Sequence, residues 1–95
     1  MDSIVNKSTG DLSICAHALK SILGIKFTRA GQRHASAMGF KSANHLLDAV
    51  KINSVECGFE QYIGVLKAEM LANHQIILNE DLIERLRVEL SKSVE

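Results

Sequence analysis

The absence of proline, together with apolar residues at helical spacing, most strongly limits what this 95-residue chain can fold into. No proline interrupts a helix, and apolar side chains recur every three or four positions in several stretches. With one Tyr, three Phe and no Trp, the core must be built from aliphatic side chains, which pack well between helices. We therefore predict an all-α fold, a compact bundle of about five short helices in one domain over residues 1–95.

Apolar periodicity and capping residues set the expected helix positions. Helices are predicted over residues 11–23, 29–38, 43–51, 59–70 and 80–90. Four of them have a capping residue at the start: Thr9 or Asp11, Thr28, Ser42 and Asn79. Residues 52–58 break the helical pattern and are predicted to be a connection. Residues 76–78 fit either a buried connection or a very short strand.

Charge divides the chain into two halves, although the formal net charge is zero. Residues 1–51 carry seven Lys or Arg and three Asp, a formal charge of +4, and three of the four histidines. Residues 52–95 carry four Lys or Arg and eight Asp or Glu, a formal charge of −4. A basic helical half and an acidic helical half indicate two surfaces with different binding tasks.

The segment from Thr28 to Leu47 has the pattern of two short helices joined by a tight glycine turn. Gly39 would lie in the turn, Phe40 would fold back as the hydrophobic contact of a Schellman motif, and Ala35 is small enough for close helix contact. A DNA-reading helix-turn-helix element has this arrangement, with the first turn of its second helix in the major groove. Six side chains are the predicted nucleic-acid contacts: Arg29, Arg33, Lys41, Ser42, Asn44 and His45.

The match to the common DNA-reading pattern is displaced by one residue. In that pattern the apolar residue of the second helix falls six positions after the turn glycine, where this chain has His45, and Leu46 comes one place later. Two helices joined by a glycine turn also occur throughout ordinary helical proteins. A purely structural turn is therefore the alternative to DNA reading.

Several small and apolar residues between positions 18 and 50 form a longer run: Ala18-Leu19, Leu23-Gly24-Ile25, Phe27-Thr28-Arg29-Ala30, Ala35, Ala37-Met38-Gly39-Phe40-Lys41-Ser42 and Leu46-Leu47. This run resembles a small helical module at the N-terminus of many proteins of bacterial mobile elements, some labelled glyoxalase-related. Where that module usually has tryptophan, this chain has Asn44 or Ala43. The resemblance implies a helical fold and a plasmid, phage or integron origin. It does not imply glyoxalase chemistry, because this chain lacks the metal ligands and barrel strands that such chemistry requires.

Neither a metal site nor a catalytic site is expected, and no cofactor. A structural zinc site needs four thiolate or imidazole ligands, usually in closely spaced pairs, and the chain has no Cys-x-x-Cys or His-x-x-x-His. Cys15 and Cys57 are predicted to be buried as small hydrophobic residues, and the histidines to be partly exposed on helices. Cys57 with His74 lacks an orienting third group and an oxyanion hole, so the protein is not expected to be an enzyme.

Two functions from different classes stay open. The first is a nucleic-acid-binding regulator that contacts duplex DNA through its basic helices and forms a homodimer through residues 59–90. The dimer is expected because four apolar residues exceed what one short helix pair needs: Phe59, Ile63, Leu66 and Leu86. The second is a protein-interaction module or inhibitor from a mobile element that uses its acidic helical face to bind a protein partner.

The expected location is cytoplasmic, with no membrane contact. No stretch reaches the roughly 20 apolar residues that a membrane-crossing helix needs. The N-terminal residues also lack the basic region and apolar run of a signal peptide.

Overall fold

The computed structural model describes residues 3–91 of the chain. Within them the elements follow in this order: β1 (Ser3–Asn6), α1 (Thr9–Leu23), α2 (Phe27–Ala37), α3 (Ala43–Ile52), β2 (Val55–Gly58), α4 (Phe59–His74) and α5 (Glu80–Ser91). The five predicted helices are confirmed, and α4 is longer than expected. Asp2, Lys92 and Glu95, which contribute to the two charge halves, lie outside the described residues. No helix in residues 3–91 is long and apolar enough to cross a membrane.

A two-stranded antiparallel sheet corrects the all-α prediction, because the described part of the chain is mostly helical rather than all-α. β1 pairs with β2 so that Ile4 lies opposite Cys57, and both side chains are buried. The sequence predicts a plain connection at residues 52–58, but β2 lies within them. Each strand has four residues, which is too short for a clear alternating pattern, and its partner is distant in sequence.

The predicted caps of α3 and α5 are confirmed. The Ser42 hydroxyl oxygen accepts the backbone N–H of His45 at 3.3 Å. The side-chain carbonyl of Asn79 accepts the backbone N–H of Leu82 at 2.9 Å. Residues 76–78, before this cap, form a connection and not a strand.

The predicted caps of α1 and α2 are wrong, although each helix begins two residues before its expected position. Ser8, rather than Thr9 or Asp11, caps α1 by accepting the backbone N–H of Asp11. The Asp11 carboxylate in turn accepts the backbone N–H of Ser8 at 3.2 Å, which completes a capping box. α2 begins at Phe27, so Thr28 lies inside the helix and does not cap it.

The core lies between the helices and is mainly aliphatic, as predicted. α1 packs against both α2 and α5, and α2 also packs against α3 and α4. α4 turns an apolar stripe towards the core, and all its members are buried: Phe59, Tyr62, Ile63, Leu66 and Met70. Leu86 of α5 is buried as well. The apolar residues on which the homodimer prediction is based therefore belong to the core of a single copy, which removes that argument for a dimer.

Candidate nucleic-acid interface

A glycine-centred turn connects α2 to α3. Gly39 has a φ of 97°, a left-handed conformation that glycine adopts without strain. Its N–H donates to the carbonyl of Ser36 at 3.0 Å, and the N–H of Phe40 donates to the carbonyl of Ala35 at 2.9 Å. These two bonds define a Schellman motif, so the predicted turn at Gly39 and Phe40 is confirmed.

Two side chains fix the start of α3. Ser42 binds the N–H of His45 as its cap, and the Gln32 side-chain carbonyl of α2 accepts the N–H of Ala43 at 3.2 Å. Gln32 lies one helical turn after Arg29 on the exposed side of α2. The Gln32 bond therefore connects the exposed side of α2 to the first turn of α3.

Three of the predicted contacts are exposed at this helix start: Lys41, Asn44 and His45. Leu46 is buried, so the inward residue of α3 is the one after His45, as the displaced sequence pattern indicates. The turn between α2 and α3 is confirmed, whereas DNA reading through these helices stays a prediction.

Arg29 and Arg33 lie one turn apart on α2 and face the C-terminal end of α4. They line an open groove of about 630 Å³. The Nε of Arg33 donates to Nε2 of His74 at 3.2 Å, and its Nη1 donates to the Glu69 carboxylate at 3.4 Å. The Arg33 side chain is only 15% exposed. Its charge is therefore held against α4.

His74 is a neutral partner in this groove. Because its Nε2 accepts the Arg33 hydrogen bond, the ring proton is on Nδ1. Partial burial lowers the pKa of His74 below its usual value, and the charges of Arg33 and Arg29 lower it further, while Glu69 acts in the opposite direction. The positive charge of the groove therefore comes from its arginine and lysine side chains.

The structure divides the six predicted contacts into two groups. Arg29 and Arg33 line the groove beside α4. The other four surround the start of α3: Lys41, Ser42, Asn44 and His45. No sequence signal indicates the bond between Arg33 and Glu69, because those residues are 36 positions apart.

A buried polar network that the sequence does not predict joins β1, α2 and α4. Asn6, His34 and Tyr62 are each 0% exposed. Nδ1 of His34 lies 2.6 Å from the Tyr62 hydroxyl oxygen, and Nε2 lies 2.7 Å from the Asn6 side-chain carbonyl oxygen. Because that oxygen can only accept, Nε2 carries the ring proton and the Tyr62 hydroxyl donates to Nδ1. The network holds three elements together without a charge.

Burial keeps this network neutral. It lowers the pKa of His34 to about 4 and raises the pKa of Tyr62. Both ring nitrogens of His34 are already bonded, so the imidazole has no nitrogen left for a substrate or a metal. The expectation of partly exposed histidines is wrong for His34. This residue is four positions after Ala30 and three before Ala37, a spacing that places it on the buried side of α2 and could have identified it.

The two cysteines are buried, as predicted. Burial raises the pKa of the Cys57 thiol, which lies 3.7 Å from the carbonyl oxygen of Ala37. His74, the catalytic partner considered for Cys57, is bonded to Arg33 instead. Across residues 3–91, no three His, Cys, Asp or Glu side chains form a group that could hold a metal ion.

Comparison with protein-family models, with curated proteins and with solved structures gives no significant match to this chain. The resemblance of residues 18–50 to the mobile-element module therefore stays a prediction. Function has to be argued from the surfaces of the molecule itself.

Proposed function

We propose that the protein is a non-enzymatic DNA-binding regulator that contacts duplex DNA through α2 and the first turn of α3. The observation that carries this proposal is the exposure of Lys41, Asn44 and His45 around the Ser42 cap, at a helix start that Gln32 ties to α2. An asparagine side chain can pair with the edge of adenine, and a lysine can contact a phosphate.

Positive charge on α2 and along α3 supports contact with the DNA backbone. Arg29 on α2, Lys41 in the turn and Lys51 near the end of α3 are all exposed. Asp48 is the carboxylate of α3 and weakens the attraction. So few cations give one copy a weak and strongly salt-dependent affinity, which a second copy would raise.

The second copy would bind the outer face of α4, within residues 59–90. Val65 and Leu71 are 37% and 57% exposed there. Beside Val65, this face is lined by three small residues and two polar ones: Gly64, Ala68 and Ala72, with Glu69 and Asn73. The outer face of α4 therefore carries exposed apolar side chains that a second copy would cover. A symmetric pair would present two α3 helices to DNA.

Duplex affinities of matched variants test this contact surface. Lys41→Ala and Arg85→Ala each remove one exposed cation, the first beside α3 and the second on α5. Lys41→Ala should weaken duplex affinity about fivefold, whereas Arg85→Ala should change it less than about twofold. The further change Asn44→Ala should relax the sequence preference. Equal losses in the two single variants would contradict the assignment.

A variant at Arg33 cannot serve in this comparison. Arg33→Ala would also remove the bonds to Glu69 and His74, so lost binding and lost stability would coincide. Helical content measured by circular dichroism should be unchanged in the Lys41, Asn44 and Arg85 variants, because all three side chains are exposed.

Protein binding through the acidic half is the second candidate function, and a groove of about 620 Å³ between α1 and α5 supports it. Three of its lining residues are apolar and three are acidic: Ala18, Ile22 and Val88, with Asp81, Glu84 and Glu89. Among the described residues that line it, Arg85 is the one cation. Such a groove suits a cationic amphipathic helix.

A synthetic Lys/Leu helical peptide can probe this acidic groove by calorimetric titration. The second function predicts that Asp81→Asn with Glu84→Gln weakens peptide binding, while Glu60→Gln on α4 does not. Equal affinities for the two proteins would contradict binding in the groove.

A further inference from the structure

Three cations converge where α2 begins and α4 ends. Lys26, Arg29 and Arg33 line the groove, and none of the described lining residues is acidic. Glu69 is the carboxylate that contacts one of them, so three cations against one anion give a local formal charge of +2. A concave surface with this charge attracts anions from solution.

Arg33 is held in position by side chains of α4. The Glu69 carboxylate accepts both the Nη1 of Arg33 and the side-chain amide of Asn73, the latter at 2.9 Å, while His74 accepts the Nε of Arg33. Within residues 3–91, the Nη2 group of Arg33 has no hydrogen-bond acceptor, so its N–H groups are available to a ligand. A guanidinium already fixed in place loses little conformational freedom when it binds an oxyanion.

Other groups around the groove can also donate hydrogen bonds to an anion. His74 carries its proton on Nδ1, since Nε2 accepts from Arg33. Lys26, the N-cap of α2, makes no side-chain capping bond, so the first-turn N–H groups have no side-chain acceptor there. The positive end of the α2 dipole adds to the charge of Lys26 and Arg29.

The same cations also have a structural role, because α1 and α4 end beside the groove and positive charge stabilises helix C-termini. That role does not require a guanidinium fixed by both a carboxylate and an imidazole. From this convergence we propose that the groove binds a phosphate group, with Lys26, Arg29 and the Nη2 group of Arg33 as its donors. The inference rests on the proposed DNA binding only for the source of the phosphate, which would be the duplex backbone.

Titration of the full chain with inorganic pyrophosphate, followed by NMR of the backbone amides, tests the site. We expect saturable shifts at residues 26–33 and 73–74. Arg29→Gln should weaken pyrophosphate affinity about tenfold, while Arg85→Gln on α5 should change it less than about twofold. Two results would overturn the proposal. One is a set of shifts that do not saturate and that spread over all exposed cations. The other is an Arg29→Gln variant with a lower melting temperature but an unchanged pyrophosphate affinity.

A short duplex in the same experiment identifies the source of the phosphate. Groove shifts with both ligands, together with competition between them, support a nucleic-acid phosphate. Saturable pyrophosphate binding without duplex binding supports the groove as a site for a free phosphate compound and contradicts the DNA-binding function. Duplex shifts confined to α3, with no pyrophosphate binding, support the DNA-binding function and overturn the phosphate site.

Discussion

His34 and Tyr62 share a 2.6 Å hydrogen bond in the core, and both side chains are fully buried. The bond ties α2 to α4, and Asn6 extends the connection to β1. α2 and α4 are also the helices that form the cationic groove. A buried network whose members are all satisfied favours one arrangement of the elements it joins, so the core holds the groove in shape.

Removing the Tyr62 hydroxyl should destabilise the fold. Tyr62→Phe leaves Nδ1 of His34 buried without a donor, and we expect the free energy of unfolding to fall by about 1–3 kcal/mol in urea denaturation. Ser13→Ala, which removes an exposed hydroxyl from α1, should change it by less than about 0.5 kcal/mol. Similar losses for both variants would show that the buried bond contributes nothing.

Acid should destabilise the protein through His34. Its pKa is about 4 in the folded chain and 6.5 ordinarily, so the unfolded chain takes up the proton first as the pH falls. The stability due to the neutral side chain is fully present above pH 6.5 and is lost between pH 6.5 and 4, about 3 kcal/mol in total. Urea denaturation over this range measures the loss.

Replacing His34 and, as a control, His45 assigns this pH effect. Part of the decline should remain without His34, because the pKa of His74 is also lowered and acts in the same direction. His34→Gln should be less stable at neutral pH but should lose most of the decline between pH 6.5 and 4. His45→Gln, at an exposed position, should keep it. An unchanged decline in His34→Gln would assign the pH dependence to other groups.

The capping box of α1 predicts different effects on stability for two neighbouring hydroxyl groups, those of Ser8 and Thr9. Ser8→Ala removes the acceptor for the N–H of Asp11 and should cost about 1 kcal/mol of unfolding free energy. Thr9→Ala, at the exposed first residue of the helix, should cost less than about 0.5 kcal/mol. Thermal denaturation of both variants measures the difference, and the reverse order of stabilities would mean that Thr9 caps the helix in solution.

Self-association should depend on the outer face of α4. Leu71→Glu places a charge on this face and should convert a dimer into a monomer in light scattering. Ile77→Glu, at a residue that is 76% exposed in the connection before α5, is the matched control and should leave the dimer intact. A monomeric wild-type protein at high concentration would remove the dimer from the account.

Local signals in the sequence locate much of this fold. Ser42, Gly39 and Asn79 act through their immediate neighbours, so capping and turn chemistry are sufficient to predict where α3 and α5 begin and how α2 ends. The α1 cap is missed because Ser8, Thr9 and Asp11 all suit an N-cap, and only the geometry selects Ser8.

Contacts between residues that are distant in sequence cannot be predicted from such local signals. β1 meets β2 across about half of the chain, and the 41-residue separation of Arg33 and His74 leaves no local pattern. The sequence therefore predicts the exposed residues around α3, whereas the groove beside α4 and the polar network around His34 emerge only from the packing of helices against one another.

Fluorescence anisotropy of a labelled random duplex, measured over a series of salt concentrations, tests the central claim most directly. Arg29, Lys41 and Lys51 each neutralise one phosphate in this account, so the logarithm of the affinity should fall with the logarithm of the salt concentration with a slope of about −3 or steeper. The absence of binding at low salt, or an affinity that does not change with salt, would contradict DNA binding by this protein.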